Sequence, residues 1–180
     1  GLTDLDAICV THLHPDHVDP AHVPALVAAN PDARVIVEPG VSATVDLPRA
    51  EVLGADGSVT LGGLTIAAVG GTHAMIHRDI PLVGNVGLVL SAEGEPTLFH
   101  PGDCLAAVPQ GIDVLACPAH GPWAAMKEHI DFIRAVGAST GFLIHDGLLS
   151  ERGWGLAFGR YNDMTPTTFT DRRDQAAWTV

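Results

Sequence analysis

The stretch Ala7-Ile8-Cys9-Val10-Thr11-His12-Leu13-His14-Pro15-Asp16-His17 decides how the rest of the chain is read. It opens on four apolar residues that read as the end of a buried strand. It then delivers three imidazoles and a carboxylate within six residues, in the order His-x-His-x-Asp-His. Neutral imidazole and carboxylate are the donors that Zn²⁺, Mn²⁺ and Fe²⁺ take. Four such side chains cannot be buried without partners, because each would lose its hydration for nothing in return. They face water or share an ion. A solvated histidine-rich turn is the plain alternative, but a buried strand that stops and releases only ligand-type side chains favours a site.

Composition narrows what that site serves. At 180 residues, 47% of them hydrophobic, the chain can bury the core of one domain, read here as spanning 1–180. No apolar run approaches the ~18 residues of a membrane helix. The net charge is −12, with nine basic residues of which only Lys127 is a lysine. Nucleic-acid binding needs clustered cations to displace counterions, and Arg172-Arg173 alone does not supply them. Neither nucleic acid nor an anionic membrane is expected as a partner. The three cysteines, Cys9, Cys104 and Cys117, form no C-x-x-C pair, and their odd number argues against a disulfide framework. Cys9 and Cys117 lie in apolar strand contexts and are expected to be buried. A cytoplasmic location follows as the expectation.

Past the histidine loop, Asp19 reads as an N-cap and Pro20 as the first helical residue, with Asn30-Pro31 as the stop. Strands are expected at 34–38, 51–53, 58–61, 64–69, 87–91, 97–100, 113–117 and 141–144, and a helical turn near 40–46. Trp123, Met126, Ile130, Ile133 and Val136 recur at helical spacing, which predicts a helix over 123–136 ended by Gly137. A helix near 148–159 and a short strand near 167–170 complete an α/β layered domain.

Three of these strands run into further ligand-type residues: Gly70-Gly71-Thr72-His73, His100-Pro101-Gly102-Asp103 and His145-Asp146-Gly147. A single such ending carries little weight. Three of them, each beside a glycine that lets the backbone approach closely, suggest loops converging on one sheet edge.

The order His-x-His-x-Asp-His, His, Asp, His, with gaps of 56, 30 and 42 residues, resembles the metallo-β-lactamase-fold hydrolase superfamily. The segments 10–17, 100–103 and 144–147 look most like the branch containing ascorbate-6-phosphate lactonase. The resemblance spans about residues 5–150 and implies an αββα sandwich holding two divalent metal ions, zinc first, with manganese or iron as alternatives. It implies that His12, His14 and His73 hold one ion and that Asp16, His17 and His145 hold the other. Asp103 would bridge them with a hydroxide, the nucleophile for an ester or lactone bond in a small-molecule substrate. Asp16 and Asp103 thus count among the catalytic residues. Several strands precede the motif in that family and are not in this sequence, so an upstream segment is expected. Members of the branch also assemble, which makes a homo-oligomer an expectation.

Other residues are secondary candidates. His120 is read as a substrate contact or a proton donor to the leaving group, and Trp123 as a helix-packing anchor with a pocket wall as alternative. His77 and Arg78 lie in a loop that could cover the ions. His22 and His129 are read as solvated, His100 as support for Asp103, Cys104 as a buried neighbour and Asp146 as support for His145. Arg160 and Tyr161 could reach the pocket from the tail. Beside the ester or lactone hydrolase stand a phosphodiester hydrolase, a single-iron sulfur dioxygenase and a non-catalytic metal-binding module.

Overall fold

A computed structural model describes residues 1–174 and 178–180. The strands are β1 (Ala7–Val10), β2 (Arg34–Val37), β3 (Ala50–Val52), β4 (Ser58–Leu61), β5 (Leu64–Gly70), β6 (Val86–Ser91), β7 (Leu98–His100), β8 (Val114–Pro118), β9 (Thr140–Ile144) and β10 (Thr168–Thr170). The helices are α1 (Val23–Ala29), α2 (Pro39–Thr44), α3 (Met126–Val136) and α4 (Glu151–Met164). β1, β2 and β3 form a small parallel sheet. The other seven strands form a mixed sheet in the order β10-β9-β8-β7-β6-β5-β4.

Alternation within the strands sorts the apolar residues into layers. Val35 and Val37 face one way, with Ile8 and Val10, onto Val27 of α1 and Val41 of α2. Ile36 faces the other way and packs with Ile66, Ala68, Val86 and Leu88 between the sheets. On the far side of the mixed sheet, Phe99, Leu115 and Cys117 pack against Ile130, Ile133 and Val136 of α3 and Ala157 and Tyr161 of α4. The result is helix, sheet, sheet, helix. No helix among the described residues is long and apolar enough to cross a membrane.

Three local expectations need correction. α1 begins at Val23, not at Pro20. Asp19 accepts from Ala21 N and from the His22 ring, and its carbonyl receives the His22 and Val23 amides, so it closes a separate turn ahead of the helix. Cys9 is exposed while Cys117 is buried. Cys9 shares a face with its partner Ile36, but β1 is the edge of its sheet, which leaves the residue open to solvent. The tail helix runs later than expected, from Ser150, whose hydroxyl accepts from Gly153 N as its N-cap.

The strand directions position the site. β5 and β7 both run antiparallel to β6, while β7, β8 and β9 are mutually parallel. β5, β7 and β9 therefore point the same way, and His73, Asp103 and His145 leave one edge of the sheet. The parallel sheet joins that edge where Val86 N donates to Thr11 O and His12 pairs with Asn85.

Candidate metal centre

The side chains that follow these strand ends meet in one cluster. His12, Asp103 and His73 are buried, at 0%, 3% and 4% exposure. The ligand atoms of His12, His14 and His73 lie within 4.8 Å of one another, as do those of Asp16, His17 and His145, and those of His12, His17 and Asp103. Asp103 is central. Its Oδ2 stands 3.2 Å from His145 Nε2, 3.5 Å from His73 Nε2 and 3.9 Å from His12 Nε2, and its Oδ1 stands 3.4 Å from His17 Nε2. Asp16 lies at the solvent side, with Oδ2 3.5 Å from His145 Nε2.

Whether these residues suit an ion can be read from their nitrogens. The Nε2 atoms of His12, His17, His73 and His145, and Oδ1 of Asp103, are buried without a well-directed hydrogen bond. Leaving a buried polar atom unpaired costs about 1–3 kcal/mol, so such a set is poorly satisfied by protein alone. The opposite ring nitrogens are engaged. His73 Nδ1 donates to Ala74 O at 2.6 Å and His145 Nδ1 to His120 O at 2.6 Å. A carbonyl only accepts, so each Nδ1 carries a proton and Nε2 is the atom left to offer a lone pair to an ion. His12 Nδ1 is held by Thr11 Oγ1 at 3.0 Å. The donor set thus fits divalent metal ions.

The electrostatics of these side chains express the same crowding. Burial, reinforced by His17, pushes His12 down to about 3. Burial also lowers His14 and His17. The adjacent Asp103 carboxylate, opposed by burial, raises His145 to about 9. Asp103 itself is desolvated, yet its contacts with His145 and His73 hold it well below the usual carboxylate range. His12, His14 and His17 are thus neutral beside one retained negative charge, as a cation needs, and an ion would displace the proton that Asp103 holds on His145.

The loop carrying Asp103 is built for that placement. Gly102 has φ 62, a left-handed conformation, and a Cβ there would collide with the Asn85 amide oxygen. Asn85, buried at 1% exposure, accepts from Asp103 N at 2.9 Å and donates to Pro101 O at 3.0 Å. Its own carbonyl accepts from Gly71 N. One side chain and its backbone therefore clasp the loops bearing His73 and Asp103. Sequence reading passed over Asn85, since an asparagine before a strand carries no local signal of this. His100 supports the same loop by accepting from Gly102 N at 3.1 Å. His145 also lies at positive φ, 56°, which turns its ring off the strand direction and into the cluster.

The secondary candidates separate. Trp123 precedes α3 instead of anchoring it, and its Nε1–H donates to Asp103 Oδ2 at 2.8 Å. The His120 side chain lines a different hollow, of about 170 Å³, beside Ala119, His129 and Tyr161; its carbonyl is what reaches His145. His129 is 1% exposed, not solvated, because α3 turns it onto Tyr161 in the helix layer. Tyr161 is buried and donates to Ala119 O, and Arg160 is exposed on α4, so no polar group of either enters the centre. His77 and Arg78 sit on an exposed turn and pair with Asp79. Asp146 bonds through its carbonyl to Leu149 N. Cys104 is half-buried and His22 is exposed.

A family model described as a β-lactamase superfamily domain matches residues 2–141. The chain belongs to that superfamily. Protein Rv0786c of Mycobacterium tuberculosis is 38% identical over 180 residues, covering 99% of this chain and 84% of that protein. A UPF0173 metal-dependent hydrolase of Xanthobacter autotrophicus is 33% identical over 107 residues, covering 53% of this chain and 43% of that one. Among solved structures, a candidate metal-dependent hydrolase from Parabacteroides distasonis superposes with TM-score 0.72 at 20% identity, covering 93% of this chain and 77% of that one. The metallo-β-lactamase-fold protein YhfI of Bacillus subtilis gives 0.67 at 13%, covering 93% and 74%. At such identities these two speak for the fold, which is the α/β metallo-β-lactamase fold.

Proposed function

We propose that this member of the superfamily is a metal-dependent hydrolase that opens an ester or lactone bond in an uncharged small molecule, using two divalent ions, zinc before manganese or iron. The observation that carries the reading is the convergence of four buried imidazole Nε2 atoms, none well hydrogen-bonded, on Asp103. His12, His14 and His73 would hold one ion, Asp16, His17 and His145 the other, and Asp103 both. The likeness to the UPF0173 metal-dependent hydrolase of Xanthobacter autotrophicus supports the metal-dependent hydrolase part of this reading. When bound, such a pair of ions supplies Lewis acidity and lowers the pKa of water.

The chain's own residues do the rest. The Ala74 and His120 carbonyls lock the His73 and His145 tautomers. Asp103 contributes the negative charge that offsets the ions at the bottom of the pocket. Pro15, Ile76, Pro122, Trp123 and Leu148 wall a pocket of about 210 Å³ above the cluster, and no lysine or arginine is among its lining residues. Asp16, with a side chain 63% exposed, puts a carboxylate at the mouth. Apolar walls and a lining without lysine or arginine favour a neutral, apolar acyl group over a phosphate. That separates this reading from phosphodiester hydrolysis, and from a phosphorylated lactone of the kind suggested by the motif resemblance.

The test is metal analysis followed by a substrate panel on the zinc- and manganese-loaded chain. Neutral aryl esters and aliphatic lactones should turn over about tenfold or more faster than a bis-aryl phosphate, and a chelator should abolish the activity. A chain that binds no metal, or one that cleaves only the phosphodiester, would refute the proposal.

A further inference from the structure

We propose that Trp123 is a positioning residue that fixes the Asp103 carboxylate for metal binding, so that its indole N–H reads the occupancy of the centre. The inference rests on the metal-centre reading above and adds to it a residue outside the ligand set. Trp123 lies in the turn that joins β8 to α3, closed by Ala124 N on Gly121 O. Gly121 makes room for it, since a Cβ at that position would run into the indole ring at Cε2 and Nε1.

Three observations point from the indole to Asp103. The Nε1–H donates to Oδ2 at 2.8 Å, the same oxygen that faces the Nε2 atoms of His145 and His73. It is the only well-directed side-chain donor to that carboxylate among the described residues. An indole N–H donates only and does not titrate in the working range, so it holds the carboxylate's rotation in both the bare and the loaded site. Metal ligands without such an outer partner lose preorganisation.

The indole is itself braced. Its ring lies 5.7 Å from that of His129 at 32°, and His129 stacks on Tyr161 at 5.9 Å and 17°. His129 Nδ1 is tied to Ala125 O at 3.1 Å, and Tyr161 Oη donates to Ala119 O at 3.0 Å. Edge contacts with the rings of His73, at 6.1 Å, and His145, at 6.4 Å, complete the surround. The packing of α3 and α4 is thereby transmitted to one carboxylate.

The experiment measures zinc affinity by competition with a chromophoric chelator for the wild type, Trp123→Phe and Trp154→Phe. It also records the three indole ¹⁵N–¹H signals of Trp123, Trp154 and Trp178 during zinc titration. The expected result is a weakening of about 10–100-fold in W123F, wild-type affinity in W154F, and a zinc-dependent shift confined to the Trp123 signal. Should W123F not fold, the signal is assigned from W154F and W178F, and its response to zinc decides the matter. Wild-type affinity in W123F, or a Trp123 signal indifferent to bound zinc, would overturn the role while leaving the hydrolase reading intact. Absence of zinc binding by the wild type would overturn both.

Discussion

Residues 11–18 and 119–129 border the same centre from opposite walls, and they serve it differently. The first segment presents side chains: His12, His14, Asp16 and His17 all place a ligand-type atom in the cluster. The second presents one carbonyl, from His120, and one indole, from Trp123, while the rings of His120 and His129 lie in or against the helix layer. A wall of donors is thus faced by a wall of orienting groups. Substitution should be severe along the first wall, graded along the second, and mild where only main chain is used.

The sharpest way to break that comparison is His12→Ala. With zinc at about 100 times its dissociation constant, the wild type should gain about 2.7 kcal/mol of stability. H12A should show no zinc-dependent rise in melting temperature, and its loss of affinity should exceed the roughly 100-fold expected from an outer residue. Trp123→Phe should fall between H12A and a substitution of His120, with the graded loss described above. Equal losses in both variants would erase the distinction between donor and orienting groups.

The pH profile of the metal-free chain sharpens the contrast further. His12, held down to about 3 by burial, binds no proton in the fold where the unfolded chain does, so stability should fall as pH drops below about 6.5. His145, raised to about 9 by Asp103, contributes stability that is complete below about 6.5 and lost as pH rises through 9. From these two groups, the melting temperature of the chelator-treated protein should peak near pH 6.5. A profile flat from pH 5 to 9 would contradict the crowding around Asp103. Zinc should shift the peak upward in pH, because binding expels the His145 proton.

The smallest effect is expected at His120→Ala. Its ring is exposed and lines the hollow beside α4, so stability should change by about 0.5 kcal/mol or less and turnover by about twofold or less. A large loss of turnover would give the imidazole the proton-donor role that the sequence suggested, and would make the second wall chemically active.

Much of the molecule was legible beforehand, for local reasons. β2, β5 and β8 follow from apolar runs bounded by Pro and Gly, β4 from polar–apolar alternation between Gly57 and Gly62, and α3 from helical spacing closed by Gly137 in the left-handed conformation at φ 68. The layered α/β class followed from the alternation of strands and helices, and the sandwich from the family resemblance that the ordered ligand-type residues carry. Reading failed where a residue's surroundings come from distant sequence. His129 sits on α3 like a surface residue, but Tyr161 of α4 covers it. Cys9 reads as core, but the edge of the sheet leaves it open. Trp123 fits the helical spacing by number alone, since the helix starts at Met126.

The sequence by itself determined which chemistry is present and where each strand releases it, because residue type and alternation are properties of neighbouring residues. Only the tertiary structure decided that His73, Asp103 and His145 leave the same edge, that Asn85 clasps two of their loops, and that the Trp123 indole, and not the His120 ring, reaches the carboxylate from the second wall. Those facts depend on strand direction and on packing between segments far apart in the chain, which no local pattern encodes.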